Sequence, residues 1–151
     1  MLNTYFDVIS KEIIRFGGII DKFVGDEVMA VFKNDFHLEK AIEASLSVIS
    51  QIEKLQPVGT NKYHPNVAIG INSGEMISGN IGSAAIKRLD FTVIGDVVNT
   101  AKRLQSIARE GEIIIPESCN QLINKSFSTQ RVGDLALKNK TKTIVAYRVL
   151  S

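Results

Sequence analysis

The sequence predicts an α+β sandwich built as a single domain over residues 1–151. Segments with apolar residues every three or four positions alternate with short apolar runs, so helices and strands interleave along the chain. Gly-Gly, Gly-Asp and Ser-Gly pairs punctuate the runs at positions suited to caps and turns. A chain of 151 residues with 44% hydrophobic residues can also bury one substantial core.

Each element follows from local pattern. Leu2, Tyr5, Phe6, Ile9, Ile13 and Phe16 mark a first helix, and Gly17-Gly18 ends it with a left-handed cap. Two strands follow at 19–24 and 27–32, joined by the Gly25-Asp26 turn. Leu38, Ala41, Ile42, Ser45, Ile49 and Ile52 outline a second helix over 37–55. The polar stretch 56–65 holds two of the three prolines and reads as a loop. Strands are expected at 66–72 and 75–81 around a Ser73-Gly74 turn. A second loop at 83–88, if mobile, would suit a substrate gate.

Beyond it come a strand at 90–94 and a helix at 96–109 that starts at Asp96 and stops before Gly111. Val97, Ala101, Leu104 and Ala108 form its buried stripe. A buried strand at 113–115, a short helix at 117–124 and a closing strand pair at 127–132 and 144–149 complete the chain. No internal repeat or low-complexity tract interrupts this order.

Composition narrows the function. A formal charge of +2, with Lys and Glu interspersed, argues against nucleic acid or an anionic membrane as partner. The single Cys119 excludes an internal disulfide and fits a reducing compartment. With no signal pattern or long apolar span, a cytoplasmic location is expected, and a parent protein with membrane segments upstream is compatible with it. His37 and His64 have no partners at metal-ligand spacing, so zinc chemistry is not expected. Ser73-Gly74 lacks the context of a nucleophile elbow.

Two segments carry chemistry. The stretch 17–32, G-G-I-I-D-K-F-V-G-D-E-V-M-A-V-F, places Lys22 and Asp26 around a turn between two apolar runs. A carboxylate on such a tip is a hard oxygen ligand suited to Mg²⁺, although Gly-Asp turns are also common surface punctuation. The stretch 92–103, T-V-I-G-D-V-V-N-T-A-K-R, sets Asn99 and Arg103 four apart on the polar face of a helix. Such residues are ordinarily solvated, but an amide beside a guanidinium is also equipment for holding a ribose and a phosphate.

Taken together, these segments resemble the class III adenylyl/guanylyl cyclase catalytic domain. Residues 2–6 are similar to its L-N-x-Y-F helix and residues 18–32 to its G-x-I-D-K-F-x-G-D-x-V-M-A-V-F hairpin. Residues 70–83, G-I-N-S-G-E-M-I-S-G-N-I-G-S, resemble its G-I-N-x-G-x-x-x-G-N-I-G-S hairpin. Residues 91–104 resemble its x-T-V-I-G-D-x-V-N-x-A-x-R-L segment. Four ordered motifs over most of the chain are far more specific than one glycine-rich loop.

The resemblance implies a ferredoxin-like core and the cyclisation of a nucleoside triphosphate, in which the ribose 3′-oxygen attacks the α-phosphorus and pyrophosphate leaves. It implies two Mg²⁺ or Mn²⁺ ions held by two aspartates, of which Asp26 matches the second. Lys22 matches a base-reading position where Lys reports adenine and Glu would report guanine. A Lys ammonium only donates, which suits adenine N1. Thr92 matches its partner at the base edge, so ATP is the expected substrate.

Asn99 matches the residue that orients the ribose, and Arg103 the one that stabilises charge developing on the phosphate. Lys138, in L-A-L-K-N-K, lies where the family has a lysine contacting the triphosphate, with Lys140 as a nearby alternative. A homodimer is implied, because in the family metal residues of one protomer meet the counterparts of Lys22, Thr92, Asn99 and Arg103 from the other.

One departure is clear. The family's first metal aspartate sits in an F-x-D-I-x-G-F-T strand that precedes the L-N-x-Y-F helix, and that motif does not occur in these 151 residues. Asp7 follows the helix motif and is no substitute. The expectation is therefore a partial domain, missing its first strand and inactive on its own. Exposed strand edges would make it oligomeric or poorly soluble. The alternatives are a guanylate cyclase, a diguanylate cyclase suggested by Gly25-Asp26-Glu27-Val28, and a non-catalytic nucleotide-binding or dimerisation module.

Overall fold

The computed structural model describes residues 2–55, 66–74, 77–80, 91–94, 96–123, 126–136 and 143–150. In chain order the elements are α1 (Leu2–Arg15), β1 (Ile19–Val24), β2 (Glu27–Val31), α2 (His37–Glu53), β3 (Ile69–Gly70), β4 (Ile77–Asn80), β5 (Phe91–Ile94), α3 (Asp96–Ile107), β6 (Ile113–Pro116), α4 (Glu117–Ile123), β7 (Thr129–Ala136) and β8 (Thr143–Val149). This is the α+β order expected from the sequence. The expected loops at 56–65 and 83–88 lie outside the described residues.

The main sheet has the order β3-β6-β8-β7, with β3 and β6 parallel and the other neighbours antiparallel. Strand β6 explains why its sequence is three consecutive isoleucines. Ile113 and Ile115 pack with Leu38 and Ile42 of α2 and with Cys119 and Ile123 of α4. Ile114 points the other way, to Leu104 of α3, Leu135 and Ala146. A strand covered on both faces loses the usual polar alternation.

Helix α1 ends as the paired glycines suggest. Gly17 has φ +90°, its N–H donates to the Ile14 carbonyl at 3.0 Å, and the Gly18 N–H donates to that of Ile13 at 2.8 Å. Helices α1 and α2 are joined by a polar contact: the buried Glu12 carboxylate accepts from the Ser47 hydroxyl at 2.5 Å and from Arg15 Nη1 at 3.1 Å.

Three expectations need correction. The strand expected over 66–72 is only Ile69–Gly70, because its ladder partner is β6 on one side and no partner flanks the other among the described residues. Among the described residues the strands around Ser73-Gly74 are not paired with each other: β3 pairs with β6, and β4 pairs with β5. The first strand of the closing pair runs from 129 to 136 rather than over 127–132. A bulge at Val132, with Gly133 at φ +147°, lets that strand continue past the glycine.

Strands β1 and β2 form a separate antiparallel pair, and β4 and β5 another. A cavity of about 740 Å³ is lined by residues of both β2 and β3, with β1, α1, α2 and α3 also contributing. β3 approaches α3 very closely there. A Cβ on Gly70 would lie 2.3 Å from both the Ala101 carbonyl oxygen and the Gln105 nitrogen, so only glycine fits.

Candidate active site

The β1–β2 hairpin sets the first side chains. Val24 pairs with Glu27 across the two-residue turn Gly25-Asp26. Gly25 has φ +60° while Asp26 stays at negative φ, so glycine occupies the one position that demands the left-handed region. This turn holds the Asp26 carboxylate exposed at the tip, and Asp26 lines the cavity.

Lys22 lies on the same hairpin and lines the cavity as well. Its neighbour Asp21 is a fixed letter of the hairpin motif to which no role is attached. Ile20 pairs with Ala30 and Lys22 with Met29, so Asp21 is the extra residue of a bulge. The Asp21 side chain is 1% exposed, neither oxygen accepts a hydrogen bond from the described residues, and Oδ2 lies 3.7 Å from Lys22 Nζ.

Helix α3 supplies the other wall. Asn99 and Lys102 line the cavity. Asn72, at the end of β3, donates from Nδ2 to the Val97 carbonyl at 3.2 Å and so ties the strand end to the first turn of α3. Arg103 is turned out of the cavity: its Nε donates to the Ala136 carbonyl of β7 at 3.5 Å and its Nη1 to Ser106 Oγ at 3.4 Å.

The structure therefore brings Lys22, Asp26 and Asn99 to one cavity and leaves Arg103 beside it. Thr92 is on β5, where only the backbone is described, and its backbone pairs with Gly79 of β4. Lys138 and Lys140 lie outside the described residues. Among the described residues no cluster of three or more His, Cys, Asp or Glu could hold a metal ion. Asp26 fits a divalent cation as a single exposed carboxylate, and further ligands would have to come from elsewhere.

At the cavity wall, His37 at the start of α2 meets Ser73 beyond β3, with Nε2 and Oγ 2.6 Å apart. Cys119 is buried under this loop; burial pushes its thiol pKa up, partly offset by a hydrogen bond from the Ser73 backbone. On the far side, the Glu112 carboxyl is held below the ordinary glutamate range by the Arg109 backbone N–H at 2.8 Å and by Arg148 Nη1 at 2.6 Å.

Comparison with known proteins agrees with this architecture. The family described as "Adenylate and Guanylate cyclase catalytic domain" matches residues 1–151. The "Adenylate cyclase" of Anabaena cylindrica is 33% identical over 98% of this chain and 31% of its own length. The adenylyl cyclase CyaB from P. aeruginosa superposes with a TM-score of 0.83 at 29% identity, covering 99% of this chain and 80% of that one. The catalytic core of a rhodopsin-guanylyl cyclase with converted specificity, in complex with ATPalphaS, gives a TM-score of 0.83 at 28% identity, covering 99% and 80%.

This chain thus belongs to the class III adenylyl/guanylyl cyclase catalytic domain family. It spans less than a third of the length of the first curated relatives it matches, 7% of one and 31% of the other.

Proposed function

We propose that this chain belongs to an adenylate cyclase domain that converts ATP to 3′,5′-cyclic AMP and pyrophosphate in intracellular signalling. The observation that carries the reading is that the motif residues Lys22, Asp26, Asn99 and Arg103 are all exposed on their hairpin and helix, as a site completed by a second copy requires. Lys22 donates to the adenine edge with Thr92 beside it, Asn99 orients the ribose, and Asp26 is one carboxylate of the metal site. Bound Mg²⁺ or Mn²⁺ would supply charge neutralisation at the triphosphate and activation of the 3′-oxygen.

Arg103 stabilises negative charge on the phosphate in the transition state. Its hydrogen bond to the Ala136 carbonyl supports that role, because Ala136 is two positions before Lys138, the expected triphosphate contact. Its place outside the cavity is compatible with service to a site shared with a second copy, so a homodimer is part of the proposal. Cytoplasmic placement is part of it too; among the described residues no helix is long and apolar enough to cross a membrane.

Strands β2 and β3 each have a partner on one side only among the described residues, and the cavity touches both. That slot suits one more strand, and the family's F-x-D-I-x-G-F-T strand would bring the second carboxylate. Without it these 151 residues are expected to bind nucleotide at most, as a module, and to turn nothing over. The test of substrate choice is Lys22→Glu in a chain extended to include that strand. A preference moving from ATP to GTP supports the reading, and an unchanged preference removes Lys22 from the base site.

A further inference from the structure

Asp21 stands out because the proposed reaction gives it no task. Its side chain is 1% exposed and both oxygens lack hydrogen-bond partners among the described residues. A buried carboxylate in that state needs a compensating charge. The ammonium of Lys22 lies 3.7 Å from Oδ2, and the Lys22 side chain is 44% exposed.

Adjacent residues of a regular strand point to opposite faces. Here the bulge between Ile20 and Lys22 breaks that alternation at Asp21. Lys22 lines the cavity and Asp21 does not. With its side chain 1% exposed, Asp21 meets a nucleotide only through its neighbour.

We propose that Asp21 is a positioning residue for base selection: its buried carboxylate fixes the ammonium of Lys22 at the cavity wall. A lysine alone is a point charge on four rotatable carbons, which reaches many positions and discriminates poorly between purine edges. With its charge anchored from behind, it presents its protons in one direction. The inference rests on the reading of Lys22 as the base-contacting residue and adds the device that makes such a residue selective.

The experiment uses this chain and its Asp21→Asn, Lys22→Ala and doubly substituted variants. Two quantities are read: the ¹⁵N order parameter of the Lys22 ammonium without nucleotide, and the affinities for ATP and GTP with Mg²⁺ by calorimetry. Asp21→Asn keeps the side-chain shape and removes the charge. It is expected to keep the melting temperature, to lower the Lys22 order parameter, and to reduce the ATP-over-GTP ratio about fivefold, the size of one partly screened ion pair. The double variant is expected to match Lys22→Ala alone.

An unchanged Lys22 order parameter in Asp21→Asn overturns the proposal, whether or not nucleotide binds measurably. Additive losses in the double variant also overturn it, because Asp21 would then act by another route. If Asp21→Asn loosens Lys22 but Lys22→Ala leaves the ATP-over-GTP ratio unchanged, base reading by Lys22 is what fails, and selection by Asp21 falls with it.

Discussion

His37 Nε2 accepts a 2.6 Å hydrogen bond from the Ser73 hydroxyl, and the partner of the other ring nitrogen sets this direction. Nδ1 lies 3.1 Å from the Asn34 carbonyl oxygen, which only accepts, so in the neutral ring Nδ1 carries the proton and Nε2 is left as acceptor. One side chain thereby joins the start of α2 to the loop after β3, across the end of the cavity.

His37→Ala is predicted to cost about 1–2 kcal/mol, one net hydrogen bond plus an unsatisfied partner. Urea denaturation checks this, and Ser73→Ala should cost no more, since it removes only the hydroxyl. A stability unchanged in both variants would show that the bond does not hold the two elements together.

Gly70→Ala is predicted to destabilise by about 3 kcal/mol or more, among the larger effects of single substitutions. The added Cβ would meet backbone of α3 at 2.3 Å, and backbone cannot swing away as a side-chain end can. Thermal unfolding of the variant tests the closeness of the β3–α3 contact directly.

The sign of the Glu112 effect sets a pH prediction. Its folded-state pKa is lowered, chiefly by the Arg109 backbone N–H and then by Arg148. The stabilisation is therefore fully present above the ordinary glutamate range and is lost as pH falls through the lowered folded value. Glu112→Gln should lower the melting temperature at neutral pH, and its difference from the parent should shrink in acid. A difference independent of pH would contradict the assignment.

Cys119 is predicted to resist alkylation in the native state and to react readily once unfolded. It is 1% exposed and burial raises its thiol pKa, so both access and thiolate fraction are low. Mass spectrometry after timed iodoacetamide exposure measures the protection.

Much of this fold was legible because its information is local. The apolar spacing of α1 and α2, the turn glycine between β1 and β2, and the Ile-Ile-Ile run of β6 each name an element without reference to the rest. Pairing was not legible. The parallel contact of β3 with β6 links residues more than forty positions apart, and nothing in 69–74 announces it.

The candidate site shows the same division. Helical spacing puts Asn99 and Arg103 on one face, but β7 takes Arg103 through the Ala136 carbonyl, while Asn99 and Lys102 face the cavity. Asp21 is a fixed letter of the hairpin motif, but the motif alone gives it no partner. Only the bulge, a property of two strands together, places it against Lys22.

Arg103→Ala in a domain containing the upstream strand is predicted to reduce turnover roughly 10³-fold with little change in ATP affinity, as for an arginine that acts on transition-state charge. A loss of ATP affinity with turnover unchanged would make it a ground-state contact instead.

The most direct test of the account is cyclic nucleotide formation from ATP and from GTP with Mn²⁺ or Mg²⁺. The present 151 residues are compared with a chain extended upstream by about fifty residues, enough for a strand and a helix. The account predicts cyclic AMP from the extended chain alone. Silence from both would contradict an adenylate cyclase, and cyclic GMP as the product would contradict the reading of Lys22 and Thr92.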